Sequence, residues 1–283
     1  MGGTLFLVAT PIGHLEDMTF RAVETLKCVS TIVAEDTRRA RILCERFKIS
    51  TKIVSMPAFA EAVRADGIVM RLKAGEDIAL ISDAGMPGIS DPGTQLVQKA
   101  IQAEIGVVPI PGACAAIAAL SASGLSTTRF HFVGFLPRKG KSRRIILESL
   151  EHIDGTIVIY ESPERLCSTI QELAMRWGTR QGVVARELTK VHETFVRGTL
   201  LSLSEMFRDK PKGEITLLIE GRAADAKEMS ISDEELEIEI ERRLSMGVLS
   251  LKDLVRDIAE ASGRKKSDIY AQALKIKARK NSV

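Results

Sequence analysis

Cysteine, histidine and long apolar runs are all scarce in this chain, and each shortage excludes something. Only four cysteines occur in 283 residues (Cys28, Cys44, Cys114 and Cys167), widely separated and with no CxxC pair, and there are only four histidines. No zinc or other metal site is expected from that set, and no disulfide framework either; scattered thiols of this kind fit a reducing cytoplasm. The longest apolar run, Cys114 to Leu120, is far too short to cross a bilayer. The first residues, MGGTLFLVAT, run straight into a strand-like segment with neither a basic leader nor a cleavage signature, so the expected location is cytoplasmic. There is no GxxxxGK[ST] phosphate loop. Charge is almost balanced, 40 Lys and Arg against 37 Asp and Glu, so only its distribution is informative.

What is present is alternation. TLFLVAT (4–10), STIVAED (30–36), DIALISD (77–83) and IGVVPI (105–110) read as buried strands, with helical periodicity between them, such as Val63, Met70 and Leu72, or Leu96, Val97, Ala100 and Ile101. Strands alternating with helices predict a mostly parallel sheet covered on both faces. A second set follows at 155–161, 182–188 and 214–220. The small, polar stretch 121–130 and the unpatterned stretch 221–230 read as boundaries. The expected organisation is an α/β domain over 1–124, a second over 125–226, and a helical domain over 229–283. In the last, Ser232 and Glu235 spell a capping box, Leu236, Ile240 and Leu244 recur every four residues, Leu251, Leu254, Val255, Ile258 and Ala259 share a face that ends at Gly263, and Ser267 is the expected N-cap of a third, basic helix. This pattern fits a helix-turn-helix module or a three-helix bundle serving dimer contacts.

One loop stands out. In LISDAGMPGISDPGTQLV (80–97), five of the nine residues from Gly85 to Gly93 are Gly or Pro, with Asp83 and Asp91 flanking them. Asp91 before Pro92 reads as the N-cap of the next helix. Asp83 sits at the carboxyl end of a buried strand, where open α/β sheets bind ligands; the alternative is an Asx turn within its own loop. The segment carries no Lys or Arg, which suits a cationic or hydroxyl-rich ligand better than a phosphate. VATPIGHLED (8–17) and VPIPGACAAIAAL (108–120) place two more such loops after strands, and three in one sheet argue for a crevice.

Together these stretches resemble the class III methyltransferases, the tetrapyrrole methylase superfamily, and within it the ribosomal RNA small-subunit methyltransferase I family. VAEDTRRARILCERF, FHFVGFLPRKGKSRR, YESPERL, ARELTKVHETFVRGTL and KGEITLLIEG add to the likeness, which spans essentially the whole chain. The resemblance implies two α/β domains, with mostly parallel and mixed sheets, holding S-adenosylmethionine between them. It also implies a homodimer, and 2′-O-methylation of a decoding-centre cytidine of 16S rRNA in the small ribosomal subunit. Carried over by position, it implies cofactor contacts from Pro11, from Asp83, Ala84, Gly85, Met86, Pro87 and Gly88, from Ala113, Cys114, Ala115 and Ala116, and from Tyr160, with the surroundings of Glu187 and Ile215 as further candidates. The chain departs from the family at His14, Met86 and Cys114, where Asn, Thr and Ser are usual; altered affinity is expected rather than lost binding.

A ribose hydroxyl is a poor acid, so transfer to it calls for a base or a nearby cation. Two strand-end clusters supply candidates: AEDTRR, with Glu35, Asp36, Arg38 and Arg39, and RELTKVHE, with Arg186, Glu187, Lys190, His192 and Glu193. Asp36, Glu187 and Lys190 are named from them; salt bridging explains either cluster as well. For RNA, residues 129–144 hold six cations and no acid, and Arg138, Lys139, Lys141, Arg143 and Arg144 are the expected contacts. Phe130, Phe132 and Phe135 alternate there as an inward strand face would. The tail adds seven cations against Asp268 over 264–280, preceded by six acids over 233–241. The rival readings are a tetrapyrrole methyltransferase, which needs neither basic segment, and a non-catalytic RNA-binding protein.

Overall fold

A computed structural model describes residues 2–222, 233–246, 251–262 and 265–280. By its contacts the chain forms two compact units, Met1–Arg222 and Ala223–Val283, so the expected boundary at 124–125 falls inside the first unit. The first half of that unit is a five-stranded sheet of β1 (Thr4–Val8), β2 (Thr31–Ala34), β3 (Lys52–Ser55), β4 (Ile78–Ile81) and β5 (Gly106–Ile110), in the order β3-β2-β4-β1-β5 and parallel throughout. Helices α1 (Phe20–Cys28), α2 (Thr37–Arg46), α3 (Glu61–Lys73) and α4 (Thr94–Gln102) connect the strands, and α5 (Ala115–Ser123) follows β5. β2 and β4 are buried at every position, as unbroken apolar runs in a two-faced parallel sheet should be. One face packs on Ala22, Leu26, Leu43 and Cys44, the other on Ala65, Leu72, Leu96 and Ala100.

The second half carries β6 (Phe130–Phe135), β7 (Thr156–Glu161), β8 (Gln181–Arg186), β9 (Thr194–Thr199) and β10 (Ile215–Ile219), with α6 (Lys141–Leu150), α7 (Pro163–Trp177) and α8 (Leu200–Met206). Its order is β6-β7-β10-β8-β9; only β6 and β7 run parallel, and the other pairs are antiparallel. Alternation along β7 divides its side chains between two cores. Ile157 and Ile159 join α6, α7 and α8, while Val158 and Tyr160 join a cluster with Ala116, Ala119 and Leu120 of α5 and Ile12 after β1. The Ala-rich α5 is therefore packed between the two halves, its small side chains allowing close approach to β7, β8 and β10.

Several expectations need correction. β3 and β9, short outer strands of exposed and half-buried residues, were not read from the sequence. On α3 the buried face is Ala65, Ile68, Val69 and Leu72, with Val63 and Met70 in solvent; Ile101 of α4 is likewise exposed. A bulge at Val133, where Gly134 has φ +70°, keeps Phe135 on the same face as Phe132, but Phe130 and Phe135 are exposed rather than core.

Asp91 does not cap α4. The N-cap is Gly93, and the first-turn amides of Gly93, Gln95 and Leu96 all donate to one oxygen of Glu61, at 3.0, 2.8 and 3.1 Å. A carboxylate from the start of α3 thus satisfies the orphan donors of α4 and clamps the far end of the Gly/Pro loop.

The second unit contains α9 (Asp233–Met246), α10 (Leu251–Ser262) and α11 (Lys266–Lys280) around Leu236, Ile240, Leu254, Val255, Ile258, Ile269, Ala273 and Ile276. The expected faces of α9 and α10 are those buried. Ser232 and Gly263 lie outside the described residues, and Ser267 sits inside the first turn of α11, whose opening amides donate to the Lys265 carbonyl.

Replacing the clamp, Glu61→Ala, is expected to destabilise the protein by about 2–3 kcal/mol, because three buried or half-buried amides lose a charged acceptor. The midpoint of urea unfolding should fall at unchanged slope, and Glu61→Gln, which keeps an acceptor oxygen, should lose less.

Candidate active site

The carboxyl ends of β1, β4 and β5 emit the three loops singled out above. The first two are locked together by a backbone pair: Thr10 N–H donates to Gly85 O (2.9 Å) and Gly85 N–H to Thr10 O (3.0 Å), while the Thr10 hydroxyl donates to Ser82 O (3.2 Å). Gly85 has φ +82°, a conformation other residues rarely adopt, and it is this backbone angle rather than crowding that calls for glycine, since a Cβ there would only touch Ile12 and the Ala113 carbonyl. Gly13 serves a different purpose. A Cβ there would lie 2.6 Å from Lys190 and 2.7 Å from Thr189, so its absence lets the loop after β8 seat against the loop after β1.

Between the halves lies a cavity of about 470 Å³, floored by Gly85, Met86, Cys114 and Ala115 and walled by Tyr160, Ile215 and Thr216. An adjoining hollow of about 370 Å³, lined by Pro11, Gly13, Asp36 and Lys190, shares Ile12, Arg39, Asp83, Ala84 and Glu214 with it, so the two are parts of one cleft. The Tyr160 hydroxyl accepts from Ala116 N–H (3.1 Å), tying the second sheet to the start of α5, and its ring meets Phe132 edge-on (4.9 Å) and Phe135 at a tilt (5.7 Å). Burial pushes its phenol well above the ordinary range.

The electrostatics are one-sided. Glu35, Asp83, Asp91, Glu161 and Glu214 line the larger cavity against a single cation, Arg39, which leans on Asp83 at 3.6 Å. Asp83 makes no Asx turn; it accepts from Asp36 N–H (3.1 Å) across to the end of β2. Desolvation raises the pKa of Glu35, and the neighbouring Asp83 and Asp91 raise it further; burial does the same to Asp91. These carboxylates repel one another in a half-dry site, and a ligand bringing positive charge would relieve them.

A family model described as Tetrapyrrole (Corrin/Porphyrin) Methylases matches residues 4–204. The protein is 45% identical to Ribosomal RNA small subunit methyltransferase I of Halalkalibacterium halodurans over 271 residues, 95% of this chain and 93% of that one. It is 45% identical to the protein of the same name from Synechocystis sp. over 278 residues, 98% of this chain and 99% of that one. The chain belongs to the ribosomal RNA small subunit methyltransferase I family. In fold it is similar to uroporphyrin-III C-methyl transferase from Thermus thermophilus, solved in complex with S-adenosyl homocysteine (TM-score 0.57, 17% identity, 76% of this chain and 97% of that one).

Within this family member, the residues expected at the cofactor divide. Asp83, Ala84, Gly85, Met86, Cys114, Ala115 and Tyr160 line the larger cavity and Pro11 its neighbour, whereas Pro87, Gly88, Ala113 and Ala116 are not among the lining residues. Gly88 N–H instead donates to Pro92 O, which folds the loop back on itself. Of the departures from the family pattern, His14 does an asparagine's work: its ring Nδ1 accepts from Glu16 N–H (3.2 Å). Cys114 does not replace a serine; it is the N-cap of α5 and makes no capping bond.

The candidate bases also divide. Asp36 is gripped by Arg38, whose Nε and Nη2 both donate to it (3.1 and 2.7 Å), and this holds its carboxyl down to about 2. Glu187 accepts from Lys190 (2.8 Å) and Glu214 N–H (2.9 Å), which lower it too. Both make poor bases. Desolvation pulls the Lys190 ammonium down, but Glu187 and Glu214 (3.0 Å) outweigh it, and its pKa is raised. Glu35, one position before Asp36, lines the larger cavity and, like Asp91, has a raised pKa. Position in the strand end could not separate two adjacent acids; the sidedness of the turn after β2 does.

One further member was not read from the sequence. Glu161 is fully buried, and its carboxylate is held by Arg165 (3.1 Å), the Thr169 hydroxyl (2.7 Å) and Ser162 N–H (2.9 Å). The only trace of this in YESPERL is the i, i+4 spacing of Glu161 and Arg165. Arg143 is corrected from an RNA contact to a buried strut: it donates to Glu172 (2.8 Å), Pro137 O (3.0 Å) and Thr169 (3.1 Å).

The raised pKa of Asp91 fixes the sign of one prediction. A carboxyl harder to ionise in the folded state costs stability at pH above its folded pKa and nothing once protonated. Asp91→Asn should therefore raise the Tm of the ligand-free protein at neutral pH by about 1–3 °C. That gain should vanish as the pH falls through the folded pKa, measurable by thermal unfolding across the acid range.

Proposed function

We propose that this protein methylates the ribose 2′-hydroxyl of a decoding-centre cytidine in 16S rRNA, with S-adenosylmethionine as donor. The observation that carries the donor is the charge of the larger cavity: Glu161 and Glu214 are ion-paired from outside it, but Glu35, Asp83 and Asp91 line it with Arg39 as the one cation and no lysine in its lining among the described residues. S-adenosylmethionine, when bound, supplies a methyl group on a positively charged sulfur, beside an ammonium and a ribose diol. The residues present fit such a molecule. Asp83, Asp91 and Glu35 face positive charge, the backbone at Ala84 and Gly85 can approach without a side chain intervening, and Met86, Ile215 and Tyr160 offer apolar walls. The volume is within the usual range of small-molecule sites, about 300–1,000 Å³.

The acceptor side follows from where the two hollows meet, with Glu35 lining the larger cavity and Lys190 the adjoining one. Glu35 takes the proton of the hydroxyl: desolvation makes it a stronger base than an exposed glutamate, and its charge is not tied up by an arginine as that of Asp36 is. Lys190, kept protonated by Glu187 and Glu214, supplies a fixed positive charge toward which a developing alkoxide can form. The two halves close around the acceptor and exclude water, and holding the reacting groups in line contributes on the order of 7–11 kcal/mol in well-oriented systems. The names of the curated relatives support ribosomal RNA as the substrate. The cationic run at Arg138, Lys139, Lys141 and Arg144 supports it as well, since a tetrapyrrole pocket has no use for it. The reading also carries a homodimer and a cytoplasmic location, as the family resemblance implies.

The test supplies labelled donor to the protein with immature small subunits, naked 16S rRNA or a tetrapyrrole. Label in the 2′-O-methylcytidine fraction of rRNA is expected; label entering only the tetrapyrrole would overturn the reading, and absence of any binding to S-adenosylhomocysteine by calorimetry would replace it with a non-catalytic RNA-binding role. Glu35→Gln should lower kcat about 10²–10⁴-fold with cofactor affinity changed far less, and the acid limb of the pH–rate profile, set by a carboxyl above the ordinary glutamate value, should disappear. Sedimentation at micromolar concentration is expected to give a dimer mass.

A further inference from the structure

The basic run read from the sequence is half of a site; α7 supplies the other half. The start of α6 and the loop before it face α7 across a cavity of about 390 Å³, with Arg138, Lys139 and Arg144 from one side and Arg165 and Arg176 from the other. These cations divide by what they already hold. Arg165 grips Glu161 and the Leu136 carbonyl (2.7 Å), and Arg143 grips Glu172, Thr169 and Pro137. Arg144 leans on Glu148 at 3.6 Å, both side chains more than half exposed, a pair that contributes little. Arg138, Lys139 and Arg176 are exposed and make no ion pair among the described residues. Gly140, the N-cap of α6, contributes no side-chain cap, so the first-turn amides remain available as donors.

We propose that this cavity is a subsite for a backbone phosphate of the RNA substrate, contacted by Arg138, Lys139, Arg144 and Arg176 and organised from below by Arg143 and Arg165. As a source of phosphate, RNA rests on the rRNA reading above. Uncompensated guanidinium groups converging from two elements favour an anion with several oxygens, and arginine forks match phosphate geometry. The subsite also lies in register with the cofactor cavity. Phe135 and Glu161, the last residues of β6 and β7, line the latter, and Arg138 and Arg165, three and four residues farther along the chain, line the former. Glu161 joins them physically: it belongs to the lining of one cavity, and its buried carboxylate is held by Arg165 and Thr169, which line the other. A phosphate seated here would hold the strand beside the mouth of the methyl-transfer cleft.

The experiment uses the full-length chain and the double variant Arg138→Glu, Arg176→Glu, both positions being exposed and unpaired, so that folding is checked simply by an unchanged Tm. Expected is a rise in the KM for rRNA of 10-fold or more with affinity for S-adenosylhomocysteine unchanged. The salt dependence of RNA binding should flatten by about one unit in slope for each phosphate no longer neutralised. Arg176→Lys should restore most of the affinity. An rRNA KM and salt slope equal to those of the unmodified protein would overturn the proposal. So would a second pattern, in which inorganic phosphate raises the Tm of the unmodified protein but not of the variant while RNA binding is the same in both, because the cavity would then take free phosphate. A protein that binds cofactor but methylates no rRNA in unmodified form would count against the functional reading; loss of the RNA salt slope in the variant would then still support the subsite.

Discussion

Two hydrogen bonds between Thr10 and Gly85 continue the first sheet one step past the ends of β1 and β4, and the cleft is arranged around that pair. Because the pairing is backbone to backbone, it fixes both loops without committing a side chain of either. It favours a glycine at position 85, since φ +82° is a backbone conformation that side-chain-bearing residues rarely adopt. Beyond it, Asp83 is aimed across to β2, where it accepts from Asp36 N–H, and Glu61 clamps the other end of the loop at α4. A loop held at both ends and in the middle presents its main chain to a ligand already ordered, which lowers the cost of binding.

Much of this was legible in the sequence because it is periodic or conformationally extreme. Continuous apolar runs identified β1, β2, β4, β5, β7, β8 and β10, and clusters of Gly and Pro identified the three loops and hence the sheet edge that faces the cleft. Edge strands such as β3 and β9 carry no such signal, as their side chains are exposed or half-buried and their partners distant in the chain. Capping in trans is equally silent: Asp91 has the right neighbours to cap α4, yet Glu61, more than thirty residues earlier, does so. Within the site, residue type and loop position found the cavity lining well. They could not say which of Glu35 and Asp36 keeps a usable carboxyl, because that depends on which one Arg38 reaches. Nor could they show that Arg143, in the middle of a basic run, points inward to a buried glutamate network.

The two cavities carry opposite charge. The larger one is lined by carboxylates, of which Glu35 and Asp91 are made reluctant to ionise by burial and neighbouring negative charge. The cavity between α6 and α7 concentrates guanidinium groups. With the two so close, an anion in the acidic cavity or a cation in the basic one would place like charges together, so each disfavours the charge that the other attracts.

Glu161 makes that separation stable. Left alone, a carboxylate with a fully buried side chain at the end of β7 would be costly, and a neighbouring arginine free to swing would neutralise either cavity unpredictably. Binding Glu161 to Arg165, Thr169 and the Ser162 amide removes both problems at once: the carboxylate is satisfied, and Arg165 is fixed as part of the wall. Arg143, held in turn by Thr169 and Glu172, extends the same network beneath the basic cavity. The charge boundary between the two cavities is therefore built from side chains hydrogen-bonded to one another around the buried Glu161, which is why two pockets of opposite sign can sit so close.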